Sequence, residues 1–198
     1  MIDITNISFE IPFQKFKVLY NEALKKKQSN IEAMCLSSYD ADEKKVDSRF
    51  VNLKYIINDE LIFFTNYKSP KSIQMNNHIQ VSACFFWHNI NLQIRVKGLA
   101  SKCDETISDQ HFSKRSIEKN NLAIISRQSQ KANSYQEILE YYEKMIHKLD
   151  YKKRPKYWGG FSIKPYSIEF WHGNDARINE RNLYTYDNKK WKHTVLQP

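Results

Sequence analysis

Strand-like runs fall into two blocks separated by a helical stretch, and that order restricts the fold more than any other feature of the chain. The first block covers 33–38, 49–56, 60–66, 79–88 and 92–103, all rich in β-branched and aromatic residues. Turn chemistry at 40–45 and at Asn58-Asp59 predicts that its opening strands pair as antiparallel hairpins. The second block covers 160–163, 167–171, 183–186 and 191–195. Between them, residues 104–150 change period. Ile107, His111 and Phe112, then Ile124 and Ile125, then Ile138, Tyr141, Tyr142, Met145, Ile146 and Leu149 recur at helical spacing. Two further helices are expected. One covers 12–27, with Pro12 in its first turn and Phe13, Phe16, Leu19, Tyr20, Ala23 and Leu24 on one face; a short one runs from Pro70 to Asn77. A meander, a helical insert and closing strands predict a mainly β fold, an antiparallel barrel with helices packed at its side. With 198 residues the chain suits one domain over 1–198, the insert at about 104–150 being too short for a second.

Composition narrows the function. The net charge of +9 leaves three readings, a nucleic-acid surface, an anionic membrane or anionic small molecules. The first rests on charge alone, without a nucleic-acid-reading motif. No apolar run approaches the roughly 20 residues of a membrane span, and Met1-Ile2-Asp3-Ile4 lacks the basic flank and apolar core of a signal peptide. The basic runs 25–27 and 152–154 read as solvated loop or helix ends. Cys35, Cys84 and Cys103 are widely spaced, with no CxxC or Cys/His ligand pattern, so no zinc site is expected and the chain reads as reduced and cytoplasmic.

GxGxxG, GxxxxGK[ST], GxSxG and HExxH are all absent, which argues against a Rossmann dehydrogenase, a P-loop enzyme and a serine hydrolase. What remains is a distribution of cations and amides at element ends. On the strand at 49–56, alternation puts Arg49, Val51 and Leu53 on one face and Phe50, Asn52 and Lys54 on the other. Its cations suit an anionic ligand, or else simply snorkel at the surface. Phe64-Thr65-Asn66-Tyr67-Lys68-Ser69-Pro70-Lys71 leads from a strand into a helix, where free N–H groups, hydroxyls and Lys71 suit a phosphate, or else cap an ordinary helix start. Near the end, Trp171 can cover a planar ligand while Arg177 and Arg181 bind anionic groups; structural salt bridges with Glu169 or Glu180 are the competing reading.

Taken together, RFVNLK at 49–54, FFTNYKSPK at 63–71, the Trp87 strand leading to Gln93, SRQSQ at 126–130, YWGGF at 157–161, IEFWHGNDARINER at 168–181 and a terminal LQP resemble the pyridoxamine 5′-phosphate oxidase family, in the family's order and from about Phe13 to Pro198. The resemblance implies an FMN-binding split β-barrel and a homodimer with FMN at the subunit interface. It implies that Arg49, Lys71 and Ser129 grip the FMN phosphate with Gln128 alongside, and that Val51, Asn52, Phe64, Thr65, Gln93, Trp171 and Arg181 line the rest of the flavin site. Lys54 is implied between flavin and substrate phosphate, joined on the substrate side by His111, Arg115, Lys119, Arg177 and Asn179. Of these, Arg177 and Asn179 take the catalytic positions over the substrate ring. The reaction implied is oxidation of pyridoxamine or pyridoxine 5′-phosphate to pyridoxal 5′-phosphate, with molecular oxygen as the final acceptor and hydrogen peroxide as product.

Four positions depart from the family's usual residues. Pro70 stands in place of an arginine, His111 of a tyrosine, Lys119 of a serine and Asn179 of a histidine. Lys54, His111, Arg115 and Lys119 would make a substrate site rich in cations, suited to a phosphate or a carboxylate, while His111 and Lys119 read alternatively as a solvated helix face. Asn179 hydrogen-bonds but cannot titrate near neutrality as histidine does. Two other readings therefore stay open: an FMN oxidase of the same fold acting on another substrate, such as a reduced phenazine-type carboxylic acid, and a non-catalytic FMN or pyridoxal-phosphate binding protein.

Overall fold

A computed structural model of the chain describes residues 1–146 and 151–198. The helix residue Leu149 singled out above lies outside them. The elements in chain order are β1 (Asp3–Thr5), α1 (Ile11–Lys25), β2 (Ala33–Asp40), β3 (Lys45–Ile57), β4 (Glu60–Asn66), α2 (Pro70–Asn77), β5 (Gln80–Trp87), β6 (Leu92–Lys102), α3 (Glu105–Lys114), α4 (Ile117–Ile125), α5 (Tyr135–Ile146), β7 (Trp158–His172), β8 (Glu180–Asp187) and β9 (Lys190–Val195). The chain forms two compact units, one of 1–63, 74–101 and 162–198, the other of 64–73 and 102–161.

The first unit is built on the sheet, whose strand order is β1-β3-β2-β5-β6-β7-β8-β9. Strand β4 pairs with both β3 and β7, which closes six strands into a barrel. Hairpins dominate because the turns demand them. Asn58 and Asp59 both take positive φ, 51° and 66°, as a two-residue primed turn requires, and Asn188-Lys189 repeats this between β8 and β9. Every second side chain of β5 and β6 turns inward, so Val81, Ala83, Phe85, Trp87, Leu92, Ile94 and Val96 form one wall of the core. Helix α1 buries Phe13, Phe16, Leu19, Tyr20 and Ala23. Phe16 meets Phe85 and Trp87 edge-on at 5.7 and 5.5 Å, and the Trp87 indole N–H donates to the Ile31 carbonyl.

Three expectations change. The pairs 160–163 and 167–171 are one strand, β7, that continues through Pro165. Proline's fixed φ is compatible with extended backbone and costs the ladder one donor without ending it. Strand β1 was not foreseen; three residues carry no period, and it forms only because Asp3–Thr5 lies parallel to 55–57 of β3. On β3 the alternation holds as far as Leu53. A bulge then leaves Lys54 between the pairs Leu53–Phe63 and Tyr55–Ile62, so Leu53 and Ile56 are both buried.

In the second unit, 64–73 meets helix α3, Ser126 just after α4 and the start of β7. Gly159 and Gly160 are required by close approach: a Cβ on Gly159 would lie 2.2 Å from the Tyr67 hydroxyl, and one on Gly160 2.3 Å from Cys103 Sγ. Arg154, read above as part of a solvated run, instead has a side chain only 8% exposed, its guanidinium paired with Asp109 at 2.5 Å and donating to the Trp158 carbonyl at 2.7 Å. A backbone carbonyl that needs a donor outcompetes solvent here. No described helix is long and apolar enough to cross a membrane, and among the described residues no group of three or more His, Cys, Asp or Glu could hold a metal ion.

Candidate functional site

The polar nest at the β4–α2 corner is the most distinctive chemistry of the second unit. Strand β4 ends at Thr65 and Asn66, and Lys71 sits in the first turn of α2. The Lys71 side chain is buried, with only 6% of the residue exposed, and its ammonium lies 3.4 Å from Thr65 Oγ1 and 3.3 Å from Ser69 Oγ. Ser69 and Ser72 are fully buried; Ser72 Oγ donates to the Asn66 carbonyl and lies 3.1 Å from Ser69 Oγ. Thr65 Oγ1 donates to Gln128 Oε1 at 3.4 Å, which brings the 126–130 loop to the same corner. In that loop Ser129 holds a left-handed φ of 67°, at the third residue of a turn closed by the Gln130 N–H donating to the Arg127 carbonyl at 3.0 Å. Gln128 and Ser129 line a cavity of about 690 Å³, together with Leu122, Ile125, Ile138 and Tyr141. A buried ammonium, hydroxyls and a carboxamide at a helix start are the donor set a phosphate monoester needs, so the residues fit the phosphate end of FMN. Pro70 offers no N–H there, and Lys68 lies with its ammonium 5.1 Å over the Tyr157 ring.

Beside this nest lies a stack of flat groups. The Phe64 and His111 rings stack at 3.8 Å and 7°, Phe64 and Trp158 at 5.5 Å and 13°, and the Arg115 guanidinium lies 4.5 Å over Trp158. Arg115 donates from Nη2 to the Lys119 carbonyl at 2.7 Å, while its buried Nε has no hydrogen-bond partner among the described residues. Burial lowers the Arg115 pKa, as it must for any cation removed from water. His111 and Arg115 therefore come together through a shared aromatic platform, and Lys119 joins them by its backbone, its side chain being exposed. Trp158 was missed as a site residue; YWGGF at 157–161, which holds two of only 4 glycines, was the signal that could have found it.

In the first unit the candidate cations Arg49, Lys54 and Arg181 have protein partners. Arg49 is half-buried, donating to Ser38 Oγ at 2.6 Å and to Gln74 Oε1 at 3.1 Å and pairing with Asp47 at 2.5 Å. Lys54 pairs with Glu32, which also takes the N-terminal amine. Val51 is half-buried and Asn52 exposed, opposite Met34 and Ala33 of β2. Gln93 is half-buried, its Oε1 accepting the Cys84 thiol at 3.4 Å. Trp171, also half-buried, faces Arg181 across the β7–β8 ladder. The 173–179 loop holds Arg177, exposed and at a φ of 63°, and Asn179, whose Oδ1 accepts the Asn174 amide at 3.1 Å.

Glu169 anchors an ion-pair network, as the competing reading of the C-terminal arginines anticipated. Its carboxylate pairs with Arg181 Nε at 2.9 Å and with Arg95. Burial acts to push the carboxyl up, but hydrogen bonds from Arg181 and Arg95, with their charges, outweigh it and hold it below the usual glutamate range. A depressed pKa stabilises the fold above the unfolded value of about 4.3, and that stability is lost as pH falls through the folded value. Glu169→Gln should therefore lower stability at neutral pH by about 1–3 kcal/mol, less than a fully buried pair because Arg95 is 46% exposed and screened. Urea denaturation at pH 7 and pH 4 checks this, the gap from wild type narrowing at the lower pH; an equal gap at both would refute it.

Comparison with known proteins gives a consistent result. Residues 20–144 match the family model described as Pyridoxamine 5'-phosphate oxidase, and 158–198 the model described as Pyridoxine 5'-phosphate oxidase C-terminal dimerisation region. A pyridoxine/pyridoxamine 5'-phosphate oxidase from Legionella pneumophila is 34% identical over 189 residues, covering 94% of this chain and 87% of the relative. One from Pelagibacter ubique is 34% identical over 193 residues, covering 94% and 91%. Among solved structures, PhzG from Burkholderia lata in complex with tetrahydrophenazine-1-carboxylic acid aligns with a TM-score of 0.87 at 24% identity, covering 94% of this chain and 92% of that one. A pyridoxamine 5'-phosphate oxidase-related, FMN binding protein from Nostoc punctiforme aligns at 0.77 and 13% identity, covering 92% and 97%.

Proposed function

The chain belongs to the pyridoxamine 5′-phosphate oxidase family, and from that premise we propose that it is an FMN-dependent oxidase converting pyridoxamine or pyridoxine 5′-phosphate to pyridoxal 5′-phosphate. The observation that carries this reading is the buried Lys71 among the hydroxyls of Thr65 and Ser69, with Gln128 alongside. When bound, FMN supplies the hydride-accepting ring, which dioxygen reoxidises with release of hydrogen peroxide. The chain's own residues bind and orient. Lys71, Thr65, Gln128 and Ser129 hold the FMN phosphate, with Arg49 contributing when its guanidinium exchanges Asp47 or Gln74 for the ligand. Val51, Asn52, Phe64, Gln93, Trp171 and Arg181 line the remainder of the cofactor. Arg115, kept flat by Trp158, and Lys54 attract the substrate's anionic group, with Lys119 adding positive charge and His111 extending the platform. Arg177 and Asn179 orient the substrate ring; Asn179 does so by hydrogen bonding alone, since an amide holds no titrating proton at neutral pH. The homodimer is supported by the match of 158–198 to a dimerisation region, and by outward apolar residues such as Phe50, 75% exposed.

A second reading keeps the fold and cofactor but changes the substrate. It is favoured by Asn179, whose Oδ1 serves the Asn174 amide where the family places a histidine. A reduced heteroaromatic carboxylic acid would use the same cations. The test is to mix FMN-loaded protein with pyridoxamine 5′-phosphate without oxygen. The flavin's visible band is expected to bleach and to return on admitting air, with peroxide formed. A band that stays oxidised with both vitamin B6 phosphates, yet bleaches with a dihydrophenazine carboxylate, would replace the first reading with the second.

A further inference from the structure

Cys35 of β2 and Cys84 of β5 are direct cross-strand partners in an antiparallel ladder. Both are free and half-buried. Directly opposed residues in such a ladder have Cα atoms about 4.5 or 5.5 Å apart, depending on the class of pair. Both values fall in the window of roughly 4.4–6.8 Å that a disulfide spans. Opposed side chains also leave the sheet on the same face. The row runs on from Phe50 of β3, opposite Cys35, to Arg95 of β6, opposite Cys84. The Cys84 thiol donates to Gln93 Oε1 at 3.4 Å.

From this juxtaposition we propose that Cys35 and Cys84 are a reversible dithiol–disulfide site, oxidised by hydroperoxides and reset by thiol reductants. Burial pushes the Cys84 thiol up, the Cys35 sulfur adds to this, and Arg95 works against both. A thiol held protonated attacks slowly, so Cys35 meets the oxidant first. Its thiolate attacks one peroxide oxygen, the O–O bond breaks, and the sulfenic acid forms with hydroxide leaving as water. The Cys84 sulfur then displaces the hydroxyl; the S–S bond forms as the S–O bond breaks, and the Cys84 proton leaves in a second water. Two thiols lose two electrons and one peroxide becomes two waters.

The crosslink is a labile one for a geometric reason. Opposed Cβ atoms stand about 4.5–5.5 Å apart, whereas a disulfide holds them near 3.8 Å. Closure must draw β2 and β5 together locally, and a strained disulfide is more easily reduced. The site does not depend on the flavin reading. Where that reading holds, the enzyme itself makes the oxidant, and oxidation withdraws the Cys84 proton from Gln93, a residue proposed to line the flavin.

The experiment treats the full chain with hydrogen peroxide, blocks remaining thiols under denaturing conditions and maps the cysteines by mass spectrometry. We expect a linked pair of peptides carrying Cys35 and Cys84, lighter by two hydrogens than their sum, that disappears with dithiothreitol. Cys103, in the other unit, should stay alkylatable and serves as the internal control. In Cys84→Ser, which has nothing to resolve the intermediate, Cys35 should be trapped by a sulfenic-acid probe. Recovery of both wild-type cysteines as free thiols, their separate overoxidation, or a bond between two chains would overturn the proposal. None of these readouts involves flavin or turnover.

Discussion

Lys71→Met is expected to give a folded protein that no longer carries FMN through purification and binds added FMN about ten- to hundredfold more weakly. The magnitude follows from one charge-assisted contact to a phosphate, about 1.5–3 kcal/mol. The fold should survive because methionine has nearly the length of the lysine stem and is at ease in a buried position. The neighbouring hydroxyls also keep other partners: Thr65 donates to Gln128, and Ser69 lies 3.1 Å from Ser72. Arg49→Met should weaken FMN less, because the Arg49 guanidinium is already engaged by Asp47, Gln74 and Ser38 and must surrender part of that to reach a ligand. Quenching of flavin fluorescence on titration measures both, with near-ultraviolet circular dichroism as the check on folding. An unchanged dissociation constant in Lys71→Met would remove the nest at the β4–α2 corner from the cofactor site.

The second large effect concerns stability. Gly98 lies in β6, buried, where an added Cβ would stand 2.6 Å from Ile163 Cγ2 and 2.7 Å from the Lys164 carbonyl oxygen. The first of these is the branch methyl of a fully buried β-branched side chain, and the second is backbone of β7, which cannot move without disturbing the ladder. Gly98→Ala should therefore cost about 1–3 kcal/mol or more, as overpacking does in a closed core. At this chain length each kcal/mol lowers Tm by about 2–4 °C. The neighbouring exposed position is the control, since Leu99 is 40% accessible and Leu99→Ala should change stability by no more than about 0.5 kcal/mol. Thermal and urea denaturation of the two variants separate the outcomes. Equal stability would mean that β6 and β7 have room that their present spacing denies.

Much of this molecule is legible along the chain. Strand β4 and helix α2 have the bounds that composition and Pro70 predict, and α1 begins one residue before the expected start. The hairpin turn at Asn58-Asp59 follows from two residues that tolerate positive φ. These are local properties, each decided by a few neighbouring side chains. The family, too, is in the sequence, because RFVNLK, FFTNYKSPK, YWGGF and IEFW are spaced residue types that require no coordinates to recognise. Lys71 belongs to this group, since a lysine placed at a serine-rich helix start already suggests an anion.

The rest depends on which strand lies beside which. Periodicity says that Cys35 and Cys84 each face outward, but only the β2–β5 register sets one opposite the other. The same holds for Glu169, whose carboxylate gathers Arg95 from β6 and Arg181 from β8, and for the burial of Arg154 beneath Asp109 and the Trp158 carbonyl. Lys54 sits between two ladder pairs, because a bulge shifts β3 against β4. Sequence by itself determined most of the elements, the family and the chemical types proposed for the site, since those rest on local periods and residue identity, whereas β1 and the continuity of β7 did not follow from it. Tertiary structure alone decided the pairings of thiols, ion pairs and flat groups, because register between distant segments is a property of the packed sheet and has no local signature.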